Sequence, residues 1–301
     1  MSNDFDLYSE TDNYLFFFHK QYCYFLDYIN KDAKTIYHYT SIETMENILK
    51  TSSLRFTNIN DLNDECEFTF LFTILHDRIS FYRLKYDKEF CDNLLDVCLK
   101  YCDENCYYVG ERVKKDIERD YYISSFSHAD DNLPLWTLYT KEKNFIGCNF
   151  GVDRQSFKTI EYTNGPVWMG NVIYSEKEQI RILDELIASW YNYYEKVKFD
   201  NYFKGDIHDA LYQYALFFKH PAFEHEKEFR FIYHPANNNE FNIFNEKRYI
   251  DIKFNLIDEI KSVKLSPTLK ENIHIENIKK LFKRYNTKTQ TFEISDIPFC
   301  V

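Results

Sequence analysis

The sequence predicts an α+β protein built on a mixed, mostly antiparallel sheet. Segments with the composition of strands outnumber what regular strand–helix–strand repeats would supply, which argues against a doubly wound sheet. The 6 glycines form neither GxGxxG nor GxxxxGK(S/T), so neither a Rossmann nor a P-loop site is predicted. The 301 residues suffice for a substantial core, and we expect a single domain over 1–301.

Local patterns assign the elements in chain order. The N-terminal segment 1–34 contains a helix over 12–31, because aromatic and apolar residues recur there at helical spacing. Residues 35–64 form a strand, an amphipathic helix and a second strand, and 65–118 form a helical insertion packed on the core. The remainder of the core is 119–301. Its predicted strands are 121–127, 145–150, 167–174, 229–233, 248–253, 260–265 and 289–294. Its predicted helices are 133–139, two helices within 175–220 at 176–197 and 206–219, and a last helix from Ser266-Pro267 to Arg284.

Composition and charge exclude several classes of function. The net charge of −11 argues against broad attraction to nucleic acid or anionic membranes, although a local groove for a nucleic-acid strand stays open. No stretch reaches the roughly 18 apolar residues of a membrane span. The acidic, polar start MSNDFDLYSETDN is unlike a secretory signal. We therefore expect a cytoplasmic protein with no membrane partner.

The cysteines predict buried thiols rather than a metal site. Cys98, Cys102 and Cys106 recur every four residues, and Cys91 lies seven residues before the first, so all fall on one helical face. Zinc sites usually combine a closely spaced ligand pair with a second pair elsewhere. A stripe of thiols is more typical of small buried hydrophobic residues. No metal is predicted.

Separated motifs along residues 35–265 resemble a single family. They are Tyr37-His38-Tyr39-Thr40, Asn63-Asp64, the strand Ser125-Phe126-Ser127 with Trp136 and Tyr139, and Glu228-Phe229-Arg230. In this order they resemble the bacterial domain-of-unknown-function family 2971. The same order resembles the His–Tyr–Glu plan of ADP-ribosyltransferases, which implies a core of ADP-ribosyltransferase-like type with NAD as a substrate.

The second resemblance implies a role for each candidate residue. His38 would bind a ribose hydroxyl of NAD, and the backbone of Tyr39 would hold the nicotinamide amide. Glu228 would be the catalytic carboxylate, and His38, Tyr139 and Glu228 should converge on one cleft. The other NAD-binding candidates are Thr40, Arg55 on the pyrophosphate, Ser125 and Ser127 on one strand face, and Trp136 or Tyr139 stacked on nicotinamide; the supporting candidates are Asn63, Asp64, Glu226 and Arg230.

The chemistry of NAD cleavage suits these residue types. Breaking the bond between nicotinamide and ribose develops positive charge on the sugar, as in glycoside cleavage. A preorganised carboxylate stabilises that charge where it forms. Nicotinamide leaves as a neutral base and needs no general acid, so one glutamate can suffice and can also take a proton from the acceptor.

Each candidate also has a purely structural alternative. In this alternative, His38 is a core histidine, and Trp136 and Tyr139 pack in the core. Asn63-Asp64 is then a turn or a helix cap. If extended, Glu224, Glu226 and Glu228 share one strand face with Arg230, as on a solvated edge strand, or Glu228 and Arg230 form an internal ion pair. A basic run at 279–288 (Lys279, Lys280, Lys283, Arg284, Lys288) is read as a solvated helix face, with a nucleic-acid patch as the secondary reading.

The predicted function is transfer of ADP-ribose from NAD to a macromolecular acceptor, either protein or nucleic acid. The resemblance further implies a toxin or anti-phage defence effector, with a neutralising antitoxin or immunity protein as a further partner. Three alternatives remain open. The first is an NAD glycohydrolase, and the second is a non-catalytic interaction module that keeps the fold. The third is an enzyme acting on RNA ends, which would need several basic residues around its cleft.

Overall fold

The computed structural model describes residues 14–30, 35–62, 68–99, 121–140, 144–159, 167–197, 201–235, 241–254 and 257–299. Two compact units alternate along the chain. The first comprises Met1–Lys31, Leu62–Asp120 and Gly170–Glu224, and the second comprises Asp32–Asp61, Tyr121–Met169 and His225–Val301. The assignment of 1–301 to one domain stays a prediction.

Helices and strands follow one another along the chain much as the sequence predicts. The helices are α1 (Tyr14–Tyr28), α2 (Ile42–Thr51), α3 (Phe70–Tyr82), α4 (Lys88–Cys98), α5 (Leu133–Thr140), α6 (Glu176–Val197), α7 (Asn201–Ala215) and α8 (Asn272–Arg284). The strands are β1 (Thr35–Ser41), β2 (Ser53–Asn58), β3 (Tyr122–Ser127), β4 (Gly147–Asp153), β5 (Val167–Asn171), β6 (Glu228–Tyr233), β7 (Asn242–Phe244), β8 (Lys247–Lys253), β9 (Ile260–Leu265) and β10 (Thr291–Ile294).

The first unit is helical and contains buried polar contacts within its aromatic core. The indole N–H of Trp190 on α6 donates to Gln21 on α1 at 2.7 Å, and the Gln21 amide donates to Ser189 at the same distance. Cys91 and Cys98 of α4 are buried, as the helical spacing predicts, while Cys102 and Cys106 lie outside the described residues. Among the described helices, none has the length and apolar composition needed to cross a membrane.

The second unit contains the sheet. Its order is β10-β9-β4-β1-β3-β2-β8-β7, with β6 paired to β3 and β5 paired to β6. Strands β9 and β10 are parallel, whereas β1, β2, β3, β4, β6, β7 and β8 join their registered neighbours in antiparallel fashion. The predicted α+β class with a mixed, mostly antiparallel sheet is therefore confirmed.

Strand β1 lies between two very different pairings. It is registered with β4 from Thr35 to Ser41, over its whole length. With β3, in contrast, the described residues share one register pair, Tyr37 with Ser127. The β1–β4 and β3–β6 ladders therefore meet at a short junction.

The two faces of the sheet carry different cores. The larger core lies on the face of Phe126, Phe150 and Phe229, where α2 contributes Met45 and α8 contributes Phe282. On the opposite face, Tyr39 packs with Leu135 and Trp136 of α5 in a smaller cluster. Because side chains alternate along a strand, this division fixes which polar groups share a face.

Several predicted boundaries are wrong. Helix α8 begins at Asn272, not at Ser266, because the Ser266 hydroxyl instead accepts a hydrogen bond from the Gly147 backbone N–H at 3.2 Å. The predicted helix at 206–219 is α7, which spans Asn201–Ala215. Strand β7 was not predicted.

The segment before β6 is not extended, so the condition under which Glu224, Glu226 and Glu228 would share one strand face is not met. Residues Pro221–Glu226 form a 3-10 helix rather than an extended strand. Lys227 then adopts a positive φ of 45°, a left-handed conformation that is uncommon for lysine. Because the 3-10 helix and the left-handed Lys227 lie between them, Glu224 and Glu228 do not belong to one face of a continuous strand.

Candidate functional site

The candidate site forms where β3 and β6 run side by side. In their register Ser127 lies opposite Glu228, and Ser125 lies opposite Arg230. Directly opposed residues of an antiparallel pair point to the same face. The four polar side chains therefore share one face of the sheet, opposite to the larger aromatic core.

The Glu228 carboxylate is fixed by two neighbours. Arg230 binds it in a bidentate manner, with Nε 2.9 Å from Oε1 and Nη2 2.7 Å from Oε2. The Ser125 hydroxyl donates to Oε1 at 2.6 Å. The side chains of Arg230 and Glu228 are 0% and 5% exposed, so this is a buried, charge-assisted pair. The predicted alternative of an internal Glu228–Arg230 pair is confirmed.

A small pocket lies against this carboxylate. Its lining is Tyr37, Tyr39, Ser125, Phe126, Ser127, Leu135, Tyr139, Glu226 and Glu228. Six predicted site residues therefore meet at one place. Its cavity volume is about 10 Å³, which is room for one water molecule. A nicotinamide ring does not fit the pocket in this conformation.

Helix α5 forms one wall of the pocket and separates the roles of its two aromatic candidates. Trp136 is buried, donates from Nε1 to Asp131 at 2.7 Å and packs edge-on against Tyr39 with ring centroids 4.7 Å apart. Tyr139 is 42% exposed and lines the pocket. Core packing thus accounts for Trp136, whereas Tyr139 is a partly exposed aromatic residue in the lining of the pocket.

The start of α5 is tied to the segment that precedes β6. The Asn132 side chain accepts from the Leu135 N–H at 3.2 Å and donates to the His225 carbonyl at 2.9 Å. Ser127 donates to the backbone carbonyl of Glu226 at 2.6 Å. These contacts hold the start of α5 and the end of β3 against the segment that carries the lining residue Glu226.

His38 does not join this pocket. Tyr37 of β1 shares a face with Ser127, so the next residue, His38, points to the opposite face. There its ring contacts Phe126 and Phe150, with centroids 4.9 and 5.4 Å away. The structure therefore does not bring His38, Tyr139 and Glu228 into one cleft, as the His–Tyr–Glu resemblance implied.

The surroundings of His38 keep it neutral. Its Nδ1 lies 2.9 Å from the Ser125 carbonyl oxygen, which can only accept, so Nδ1 carries the proton. Burial of the ring lowers its pKa from 6.5 to about 4, although the Ser125 hydrogen bond opposes that shift. The core-histidine interpretation describes these contacts, and a role on NAD ribose stays a prediction.

The neighbours of His38 are divided between the faces. Tyr39 points into the pocket side, donates to the Ala129 carbonyl at 2.9 Å, and has a pKa raised by burial. Thr40 is buried and follows the face of His38. Tyr37 also lines the pocket and was not predicted to do so, although its alternation with Tyr39 in the YHYT motif indicates that both point to one face.

Arg55 lies away from the pocket. On β2 it stands opposite Asp251 of β8, with Nε 3.6 Å from Oδ1, and its guanidinium lies 3.8 Å from the Tyr249 ring centroid. A pyrophosphate contact by Arg55 stays a prediction. Asn63 and Asp64 lie outside the described residues.

Comparison with known proteins matches part of the chain. Residues 135–231 match the family described as Protein of unknown function (DUF2971). This supports the predicted family resemblance over that segment. The DUF2971 segment includes Tyr139, Glu228 and Arg230, while His38 lies outside it. No curated protein and no solved structure matches the chain. The resemblance to ADP-ribosyltransferases stays a prediction.

Acidic and thiol side chains do not gather into a metal centre in the part of the chain that the structure describes. No three His, Cys, Asp or Glu residues there are placed to hold one ion. The candidate site offers the carboxylates of Glu226 and Glu228, the hydroxyls of Ser125 and Ser127, and the phenol groups of its lining tyrosines.

Proposed function

We propose that the protein is an ADP-ribosyltransferase that uses NAD as its substrate and acts at the pocket beside Glu228. A single observation carries the proposal: Tyr139, Ser125, Glu226 and Glu228, four residues predicted from separated motifs, line one pocket. The acceptor is a macromolecule, either protein or nucleic acid. A role as a toxin or defence effector, with a neutralising partner, follows from the same resemblance.

The pocket residues divide the work of the reaction. Tyr139 stacks on the nicotinamide ring and fixes the leaving group. Glu228, oriented by Ser125, accepts a hydrogen bond from a ribose hydroxyl and faces the charge that develops on the sugar. The carbon–nitrogen bond breaks and nicotinamide leaves neutral. The acceptor then bonds to the ribose carbon and releases a proton.

Glu226 is the better candidate to receive that proton. It is half-buried and lines the same pocket, whereas the Glu228 carboxylate is engaged by the Arg230 guanidinium. A proton acceptor must lie within hydrogen-bond reach of the group it deprotonates. Glu226 and Glu228 lie two residues apart and line the same pocket, so the two roles can be divided between them.

NAD binding requires the pocket to widen beyond its cavity volume of about 10 Å³. Tyr139 is the lining residue whose movement meets the least resistance, because it is 42% exposed. Nicotinamide takes the space that the ring vacates and stacks against it. Widening costs free energy, so we expect weak binding of NAD by the isolated protein.

A second function is favoured by one specific observation. Glu228 is closed off by a bidentate pair with a fully buried arginine, beside a pocket of one-water size. A carboxylate in such a pair supports the sheet without any substrate. On this reading the chain is a non-catalytic interaction module that does not bind NAD.

The deciding experiment measures nicotinamide release from NAD by the purified protein, with and without cell lysate, together with transfer of labelled ADP-ribose. Tyr139→Ala and Glu226→Gln change the pocket without touching the buried pair. Leu138→Ala is the matched control, since Leu138 is 51% exposed on the same helix and does not line the pocket.

Label transfer to a lysate macromolecule that is lost in Tyr139→Ala and kept in Leu138→Ala supports the transferase. Nicotinamide release without label transfer identifies a glycohydrolase instead. If calorimetry detects no NAD binding and neither activity appears, the interaction module replaces the enzyme.

A further inference from the structure

A second, larger cavity lies in the sheet unit, away from the Glu228 pocket. It is bounded by α2, the end of β9, the turn after it and α8, and its volume is about 520 Å³. Cavities of roughly 300–1,000 Å³ are typical of small-molecule sites. Its lining shares no residue with the pocket beside Glu228.

The floor of this cavity is apolar. Its apolar side chains are Ile42, Ile146, Leu265, Leu269, Ile278 and Leu281. Leu265, Leu269 and Ile278 are buried members of the larger core, so the floor is fixed by the packing of the fold. Ile146 is 42% exposed, which leaves apolar surface open to solvent at one side. Removing such surface from water favours an apolar ligand.

The rim of the cavity is polar and cationic. It is formed by Glu46, His274, Asn277, Lys280 and Arg284. The Arg284 guanidinium lies 3.1 Å from Glu46, in an exposed pair that a ligand can displace at little cost. Lys280 forms no ion pair within the described ranges of the chain, so it offers an uncompensated positive charge at the mouth.

We propose that this cavity binds a small amphipathic molecule with an apolar body and one anionic head group. The body lies on the apolar floor, and the head group pairs with Lys280 and Arg284. A medium-chain carboxylate is the simplest molecule of this class. The net charge of −11 makes the local cationic rim stand out and disfavours docking of an anionic membrane there.

The binding test uses decanoate as the probe. Isothermal titration calorimetry measures its binding to the full-length protein. Decanol and decylammonium have the same apolar body with a neutral and a cationic head. Decanoate should bind about tenfold more tightly than decylammonium, because the head group meets two cations. Equal binding of all three molecules would overturn the assignment of the anionic head.

Three variants locate the site. Lys280→Gln should weaken decanoate binding about fivefold, as expected for one partly exposed charge contact. Lys283→Gln, the same change at a residue of α8 that does not line the cavity, should leave it unchanged. Asn277→Trp, at an exposed lining position, should abolish binding by filling the cavity.

The proposal fails if Asn277→Trp binds decanoate as well as the wild-type protein. It also fails if this variant changes the oligomeric state in sedimentation while decanoate never binds, because the cavity would then be an interface between copies of the chain. Thermal unfolding of each variant checks that the fold is intact. None of these readouts depends on NAD chemistry.

Discussion

The Ser125 hydroxyl donates to Oε1 of Glu228 at 2.6 Å, across two adjacent strands. The backbone carbonyl of the same serine lies 2.9 Å from Nδ1 of His38. His38 and Glu228 thus contact one residue from opposite faces of the sheet without reaching a common space. Ser125 therefore links the two faces: its hydroxyl contacts the pocket carboxylate, and its carbonyl contacts the histidine in the aromatic core.

We expect Ser125→Ala to lower the free energy of unfolding by roughly 1.5–3 kcal/mol, because it removes a hydrogen bond to a buried charged group. Ser124→Ala is the matched control on the same strand. The Ser124 hydroxyl is buried on the other face and has no hydrogen-bond partner among the described residues, so its removal should be nearly neutral. Urea unfolding of both variants tests the difference, and equal losses would contradict it.

Breaking the buried ion pair should be costly. Glu228→Gln leaves the fully buried Arg230 without its anionic partner, and we expect a loss of roughly 3–5 kcal/mol in unfolding free energy. Glu276→Gln, which breaks the exposed Lys279–Glu276 pair on α8, should cost about 0–1 kcal/mol.

Chemical denaturation measures both losses. The double variant Glu228→Gln with Arg230→Met should lose less than the sum of its single changes, because the two side chains interact directly. Additive losses would show that the pair does not couple the residues.

Stability should fall as the pH drops from 6.5 towards 4 because of His38. Its pKa is lowered to about 4 in the folded protein against 6.5 unfolded, so the unfolded chain binds more protons between these values. The stabilisation is complete above pH 6.5 and amounts to at most about 3 kcal/mol. Denaturation midpoints of the wild-type protein and His38→Gln, compared from pH 7 to 4, isolate this contribution; parallel pH profiles would rule it out.

Gly147 at the start of β4 leaves no room for a side chain. A Cβ atom there would lie 2.6 Å from the backbone oxygen of Thr40 and would also overlap the Thr140 methyl group. We expect Gly147→Ala to cost about 1–3 kcal/mol. At Gly151 of the same strand, the nearest atoms are the Ser262 hydroxyl and two ring carbons of Tyr37, which are side-chain atoms and can shift more readily than backbone. Thermal melts should therefore rank Gly151→Ala as the milder change.

Local patterns predicted most elements of the fold because their signals lie within a few residues. The helix after β1 is one example: Ser41 caps it by accepting from the Thr44 N–H at 3.1 Å, and Met45 and Ile48 are buried at helical spacing. The predicted start of α8 is wrong because it depends on a contact that is distant in the sequence. Ser266 and Pro267 form a good local helix signal, but the serine is used by Gly147, a residue 119 positions away.

The candidate site was predictable in part for similar reasons. Alternation placed Ser125 and Ser127 on one face, and the structure agrees. The position of His38 depends on how β1 registers with β3, a pairing across 90 residues that no local pattern encodes. The turn before β6 could not be predicted either, because a lysine gives no signal of the left-handed backbone that Lys227 adopts.

The short junction of Tyr37 and Ser127 has a mechanical consequence. One part of the sheet carries Tyr37 and Tyr39, and the other carries Ser125 and Glu228, so the pocket lies across the line along which the described residues of β1 and β3 share a single register pair. A small rotation about this line would open the pocket while β1–β4 and β3–β6 stay fully paired. A single register pair resists such a rotation less than the seven pairs of the β1–β4 ladder, so we expect the pocket to widen along this line.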